Sequence, residues 1–402
     1  MSVIGQLPAA ESNLYHQRRT EPLKQDARGA WFANKISPLI TPPLVMAAWA
    51  LARLKGLPKA QVYRDIAPHF VDHYAPSLYP SLTKALELKI CREIPIEEPS
   101  LEVGVGDGYF SKLLYREQKL TYAGDLIYET LLASRDKQFA REVAVMDADE
   151  IPLPDNSLKT YFMNNLMHHL PDRQKTLAEA HRVLQPGGLF LFNDNTISWA
   201  AGIWHIWLAE RLGFKGWARR KLDEKLHNCA QALIENADWW LHNIDLEKWE
   251  VVRSEPFFSN RSYLLCSLLE SLTFKQGGPV AASLLKKFLR VPLARTIYRY
   301  LLPDLAERLM SVDQDWARRF GSIFTFVVLR KKGDGAPQKP QWVCPETHQP
   351  LQHQGTSMVS PSQKVYLVDQ DVPILLRYWE KLPGYQEHLA RIREQGYPEY
   401  LT

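Results

Sequence analysis

The chain has 402 residues, 46% hydrophobic and 23% charged, with 49 Lys and Arg against 45 Asp and Glu for a net charge of +4. At about 100–200 residues per domain it should form two or three folded units, and its composition excludes both a disordered polymer and a polytopic membrane protein. So small a positive excess argues against nucleic acid as partner, and Cys91, Cys229, Cys266 and Cys344 are too scattered for a disulfide scaffold or a four-thiolate metal cluster.

Met1–Thr20 is polar and has no secretory core, so a cytoplasmic location is expected. Residues 1–30 read as a flexible arm and 31–97 as a helical region. Ile36–Leu54 is apolar, but Pro38, Pro42 and Pro43 interrupt it and Arg53 and Lys55 close it, which predicts a short helix from about Pro43 and not a membrane span. Leu82, Leu86 and Ile90 recur every four residues and predict a helix over Ser81–Glu93. From Pro99 to Asp194 short apolar runs alternate with helical ones. Strands are expected at Ser100–Val105, Thr121–Asp125, Val143–Asp147, Thr160–Asn164 and Leu189–Asn193, with a helix at Arg173–Leu184 ended by Pro186-Gly187-Gly188. Such alternation implies a parallel sheet covered on both faces, a doubly wound α/β domain. Later strands are expected at Trp249–Phe258 and Ile323–Arg330, with helical insertions over 197–245 and 260–320. The domain so read spans 98–332, a Gly/Pro-rich linker follows at 333–341, and a small C-terminal unit occupies 342–402.

The richest stretch is Ser100-Leu-Glu-Val-Gly-Val-Gly-Asp-Gly-Tyr109. Gly104, Gly106 and Gly108 between a buried strand and a helix let a ligand lie against main-chain N–H groups. Asp125 closes the next strand, where a carboxylate can accept from both hydroxyls of a ribose. Tyr109 stands where a dinucleotide-binding loop needs its third glycine, which disfavours a nicotinamide cofactor.

Together, Leu101–Gly108, Asp125, Asp147-Ala148 ahead of Ile151–Ser157, and Leu184–Gly188 resemble the class I S-adenosylmethionine-dependent methyltransferases, and among them the quinone-biosynthesis-like branch that acts mostly on small molecules. The resemblance covers residues 98–195. It implies a Rossmann-like seven-stranded sheet with S-adenosyl-L-methionine as cofactor. Glu102 would anchor the glycine loop, Gly104, Gly106 and Gly108 would face the methionine part, Asp125 the ribose, Asp147 the adenine amino group, and Ala148 the ring. Val105 and Asp107 depart mildly from the family's usual residues.

After the fourth expected strand, His168 and His169 would face the acceptor and could serve as a base, or only hydrogen-bond their own loop. Asp194 could bind an acceptor hydroxyl, act as a base or cap the next helix. Seven of the twelve tryptophans fall between Trp199 and Trp249. The 275–299 stretch carries Lys286, Lys287, Arg290, Arg295 and Arg299 among apolar residues. A lid over the cofactor or an interfacial helix touching a membrane both fit, and both suggest a fairly apolar acceptor. Trp342–Leu351 and Lys364–Leu376 resemble the zinc-ribbon-like activator domain of RNA and protein methyltransferases. With Cys344 as the only thiol there, a metal-free, structural or partner-binding unit is expected. That likeness keeps RNA or protein methylation open as an alternative, although Asn164-Asn165-Leu166-Met167 lacks the proline pair of polynucleotide base methylases. A non-catalytic scaffold is the third reading.

Overall fold

A computed structural model describes residues 37–57, 78–116, 118–167, 172–195, 244–271, 300–355 and 357–377, with isolated positions between them. A seven-stranded sheet forms its centre, in the order β3-β2-β1-β4-β5-β7-β6. The strands are β1 Ser100–Val103, β2 Leu120–Asp125, β3 Ala140–Val145, β4 Leu158–Asn164, β5 Leu184–Asn195, β6 Trp249–Ser259 and β7 Ser322–Lys331. The first five pair in parallel, and β7 enters antiparallel between β5 and β6. This is the doubly wound sheet expected, with both late strands in it.

Period-two alternation divides the sheet into two apolar faces. Leu101, Val103, Tyr161, Met163, Phe190 and Phe192 point to one, where helix α5 (Arg173–Val183) adds Leu177, Ala180 and Val183. Ala123, Phe162, Leu191, Phe326 and Val328 point to the other. That face is covered by α2 (Leu78–Cys91), α3 (Tyr109–Tyr115), α4 (Tyr128–Arg135), α6 (Asn260–Ser271) and α7 (Leu302–Phe320). Asp172 starts α5 as an N-cap, accepting the amides of Gln174 and Lys175 at 3.1 Å each.

Several boundaries differ from expectation, each for a local reason. The apolar N-terminal helix α1 runs from Ser37 to Leu54, starting ahead of Pro43. Pro38 lies in the first turn, where no N–H is needed, and Pro42 and Pro43 each forgo one bond without ending the helix. Pro186–Gly188 does not separate α5 from β5 but lies inside β5, where Gly187 at φ 79° accompanies a register shift opposite Leu158–Thr160. In α7, Leu305, Leu309, Met310, Asp313 and Ala317 are buried at helical spacing, and the helix packs on β6 beside α1 and α2. The 197–243 and 272–299 segments lie outside the described residues apart from isolated positions. No described helix is long and apolar enough to cross a membrane.

The C-terminal unit forms a four-stranded antiparallel sheet in the order β11-β10-β9-β8, made of β8 Gln352–Gln354, β9 Ser357–Val359, β10 Val365–Asp369 and β11 Val372–Pro373. It docks along the free edge of β3. Ile374 bridges Val145 in parallel, and Val343 N–H donates to the Pro152 carbonyl at 3.0 Å. Ile374 joins one core face and Leu375 the other, as in a strand added to the sheet. The Trp342 ring meets Tyr122 edge-on at 4.6 Å, and Tyr128 donates its hydroxyl proton to Asp369 at 2.5 Å.

Candidate active site

Strand order reverses between β1 and β4, and the crevice at their carboxyl ends is where such sheets take ligands. The glycine loop follows β1 with Gly104, Gly106 and Gly108 at φ 78°, 54° and 72°. Two of these glycines are required by close neighbours. A Cβ on Gly108 would lie 2.5 Å from the Phe139 ring and 2.6 Å from the Ser134 hydroxyl, and one on Gly104 would lie 2.8 Å from Leu166. At Gly106 nothing would meet it within 4 Å, so this glycine borders open space. The loop is tied down by Gly104 N–H donating to Gly124 carbonyl at 2.8 Å and Gly108 N–H to Val105 carbonyl at 3.0 Å.

Asp125 closes β2 directly beside the loop. Its Oδ2 accepts Gly106 N–H at 2.8 Å and its Oδ1 accepts Ile127 N–H at 2.9 Å. Two amides thus fix a nearly buried carboxylate at the carboxyl end of β2. Past β3, Asp147 accepts Asp149 N–H at 2.9 Å and turns the chain, with Ala148 buried beside it. Glu102, buried on β1, accepts the Ser111 hydroxyl proton of α3 at 3.0 Å. Burial lifts its carboxyl from 4.5 to about 7, against the opposing effect of Ser111 and Tyr115.

Asn165–Met167 follows β4. Asn165 is left-handed at φ 52°, and its N–H donates to the carbonyl and the Oδ1 of Asn193 at 3.1 and 2.8 Å. Asp194 lies within β5, paired with Thr325 and buried. Its charge bears on Arg173, whose guanidinium is pushed down by burial and supported by Asp194, and whose Nε donates to the Met167 carbonyl at 3.1 Å. His168 and His169 lie outside the described residues.

The glycine loop, Asp125 and Asp147 thus follow or close the carboxyl ends of β1, β2 and β3, while Glu102 lies within β1 and Asp194 stands next to last in β5. Asn165, just past β4, is held by Glu87 of α2, a pairing that no motif marked in the sequence. Glu87 is fully buried on α2 and accepts Asn165 Nδ2–H at 2.8 Å. Its spacing from Lys84 looks like any solvated helical ion pair. The open side at Gly106 and the clamped carboxylate of Asp125 fit a nucleoside cofactor with a hydroxyl-bearing ribose. In the C-terminal unit, the Cys344 thiol lies 3.1 Å from the Tyr366 hydroxyl, and among the described residues no group of three or more His, Cys, Asp or Glu could hold a metal.

The sequence model of the methyltransferase domain family matches residues 101–192. A malonyl-[acyl-carrier protein] O-methyltransferase of Serratia marcescens is 34% identical over 96 residues, 24% of this chain and 38% of that protein. A ubiquinone/menaquinone biosynthesis C-methyltransferase of Desulfotalea psychrophila is 29% identical over 100 residues, 24% of this chain and 41% of that protein. The chain thus spans well under half the length of these relatives. An S-adenosylmethionine-dependent methyltransferase structure from Aquifex aeolicus aligns at 25% identity and a TM-score of 0.24, covering 34% of this chain and 73% of that one. Residues 101–192 are thus similar to the methyltransferase domain family, whose matched relatives are named as methyltransferases.

Proposed function

We propose that the chain transfers a methyl group from S-adenosyl-L-methionine to a small, fairly apolar acceptor such as an isoprenoid, quinone, pigment or lipid-like molecule. The observation that carries the reading is the juxtaposition of Asp125 with the Gly106 amide at the strand-order switch. Bound there, the cofactor supplies an activated methyl on a sulfonium, so the protein's task is alignment and exclusion of water. Asp125 would hold the ribose hydroxyls, Asp147 the adenine amino group, and Ala148 the ring. The loop from Gly104 to Gly108, backed by Glu102, would take the methionine part. His168, His169 and Asp194 are the candidates for the acceptor side, His169 as base where the acceptor must lose a proton.

Several features support an apolar acceptor. The 197–249 stretch is rich in tryptophan, and the 283–302 stretch mixes basic and apolar residues in the manner of a lid or a membrane-surface helix. One matched relative carries a name of quinone chemistry. Because the Ile374–Leu375 segment of the C-terminal unit is spent on the β3 edge of the central sheet, a reading in which that unit recruits RNA or protein is less favoured.

Calorimetric titration with S-adenosylhomocysteine tests the cofactor. Micromolar binding supports the reading and opens a screen of apolar acceptors, whereas a folded protein that binds neither this product nor the donor refutes it. For the membrane contact, co-sedimentation with anionic vesicles at low salt and release at high salt is expected, and no sedimentation at low salt leaves the lid.

A further inference from the structure

We propose that α1 is a membrane-surface helix whose outward apolar stripe rests in the headgroup region of an anionic bilayer. This gives the membrane contact of the proposed function a site, and it does not depend on the cofactor. Along Ser37–Leu54 the only side chains that carry a charge or a hydroxyl are Ser37, Thr41 and Arg53. A helix apolar all round is ordinarily buried on every side. Here one side alone is taken. Ala52 is buried, and Ala48 and Trp49 pack against the core that α7 shares. Trp49 Nε1–H donates to Asp304 at 2.8 Å. Arg308, paired with the same carboxylate at 2.8 Å, donates to the Leu57 carbonyl just past the helix. These bonds fix the rotation of α1 about its own axis.

The opposite side faces outward. Met46 is 44% exposed, Leu51 54% and Leu54 84%, with Ala47 exposed and Ala50 half-buried among them. At about 100° per residue these positions form one stripe roughly 140° wide, with Ala48, Trp49 and Ala52 across the helix from it. Arg53 and Lys55, both exposed, fall at its two margins. Long cations on either side of an apolar stripe can lay their stems on hydrocarbon while their charges reach lipid phosphates. In the sequence, Arg28, Lys35, Arg53, Lys55, Lys59 and Arg64 occur between Ala27 and Arg64 without one Asp or Glu, although the whole chain nearly balances 49 cations against 45 acids. That one-sided charge selects an anionic surface. A second copy would bring the same stripe, the same cations and, on α1, no acid to answer them. No described helix, α1 included, is long and apolar enough to cross a membrane, so the contact is peripheral.

The test is flotation of the full chain with vesicles of mixed phosphatidylglycerol and phosphatidylcholine, and with phosphatidylcholine alone. Wild type should bind the anionic vesicles at low salt and release them at high salt. Leu51→Glu/Leu54→Glu should weaken binding at least about tenfold, the scale of a leucine withdrawn from hydrocarbon. Arg53→Gln/Lys55→Gln should weaken it about fivefold for each charge removed. A thermal melt checks folding, and should the double glutamate variant unfold, Leu54→Glu at the most exposed position decides by the same loss. Failure of wild type to bind anionic vesicles, or undiminished binding by the folded glutamate variant, overturns the proposal. So does binding that Lys286→Gln/Lys287→Gln abolishes while the α1 variants keep it, which would move the contact to the other basic stretch. A dimer in light scattering that the glutamate variant splits, with no vesicle binding, would give the stripe to a second copy and overturn it as well. Titration with S-adenosylhomocysteine reports on the cofactor separately, so failure of one reading is not mistaken for failure of the other.

Discussion

Leu375 donates its backbone N–H to the carbonyl of Val145 at 2.9 Å, so the C-terminal unit closes the edge of the strand that leads into Asp147. An uncovered edge of that kind invites pairing with other chains. Ile374, fully buried beside Val145, carries much of the contact, and Ile374→Ala should cost about 2–5 kcal/mol of stability, the range for emptying a packed aliphatic site. Because Val145 stands two residues before Asp147, affinity for S-adenosylhomocysteine should fall as well. Urea unfolding and calorimetry on the same variant check both, and a variant with native stability and affinity would show that the unit is merely tethered.

Asp125→Ala should weaken cofactor binding by about 1.5–3 kcal/mol, the scale for removing hydrogen bonds to a charged group. The same change also releases the Gly106 and Ile127 amides, so the loop loses its anchor along with the ribose its partner. A circular dichroism melt separates the two effects. A folded variant with undiminished affinity removes Asp125 from the ribose site.

Much of this was legible because strands and their terminal acids leave local marks. The apolar run before Gly104 and the acids at Asp125 and Asp147 place the crevice without tertiary knowledge. Glu87 and Asn165 were not legible, since each acquires its role only when α2 packs over the end of β4. In the sequence, Glu87 is one more charge on an amphipathic helix beside Leu86 and Ile90. Helix α7 falls inside the helical insertion expected over 260–320, but its own bounds were not marked. Its buried face includes Asp313, which accepts the Ser259 amide at 2.9 Å, so a polar residue stands where the pattern would want an apolar one.

Glu102 should make stability depend on pH in an unusual direction. Its folded carboxyl titrates near 7 against 4.5 ordinarily, so the folded state holds the proton that the unfolded state has released. Its stabilising contribution is complete below the unfolded value and is lost as pH rises through about 7, an effect of roughly 3 kcal/mol for a shift of this size. Glu102→Gln keeps the shape and removes the titration. Relative to it, wild type should lose stability between about pH 4.5 and 7 and change little above. Parallel denaturation curves across that window would contradict a buried, proton-holding Glu102.

Two alanine substitutions in one loop should fail in different ways. Both Gly106 and Gly108 occupy left-handed backbone, where an L-residue is strained by about 1–2 kcal/mol. At Gly108 the new methyl also runs into Phe139 and Ser134, so Gly108→Ala should lower the melting temperature markedly. At Gly106 it enters open space on the side of the crevice, so Gly106→Ala should cost little beyond the strain but obstruct the ligand. The expected pattern is a large stability loss at Gly108 and a binding loss at Gly106 that exceeds its stability loss. If Gly106→Ala bound S-adenosylhomocysteine as wild type does, the ligand would have to lie elsewhere, because the loop has no other side on which an added methyl meets nothing.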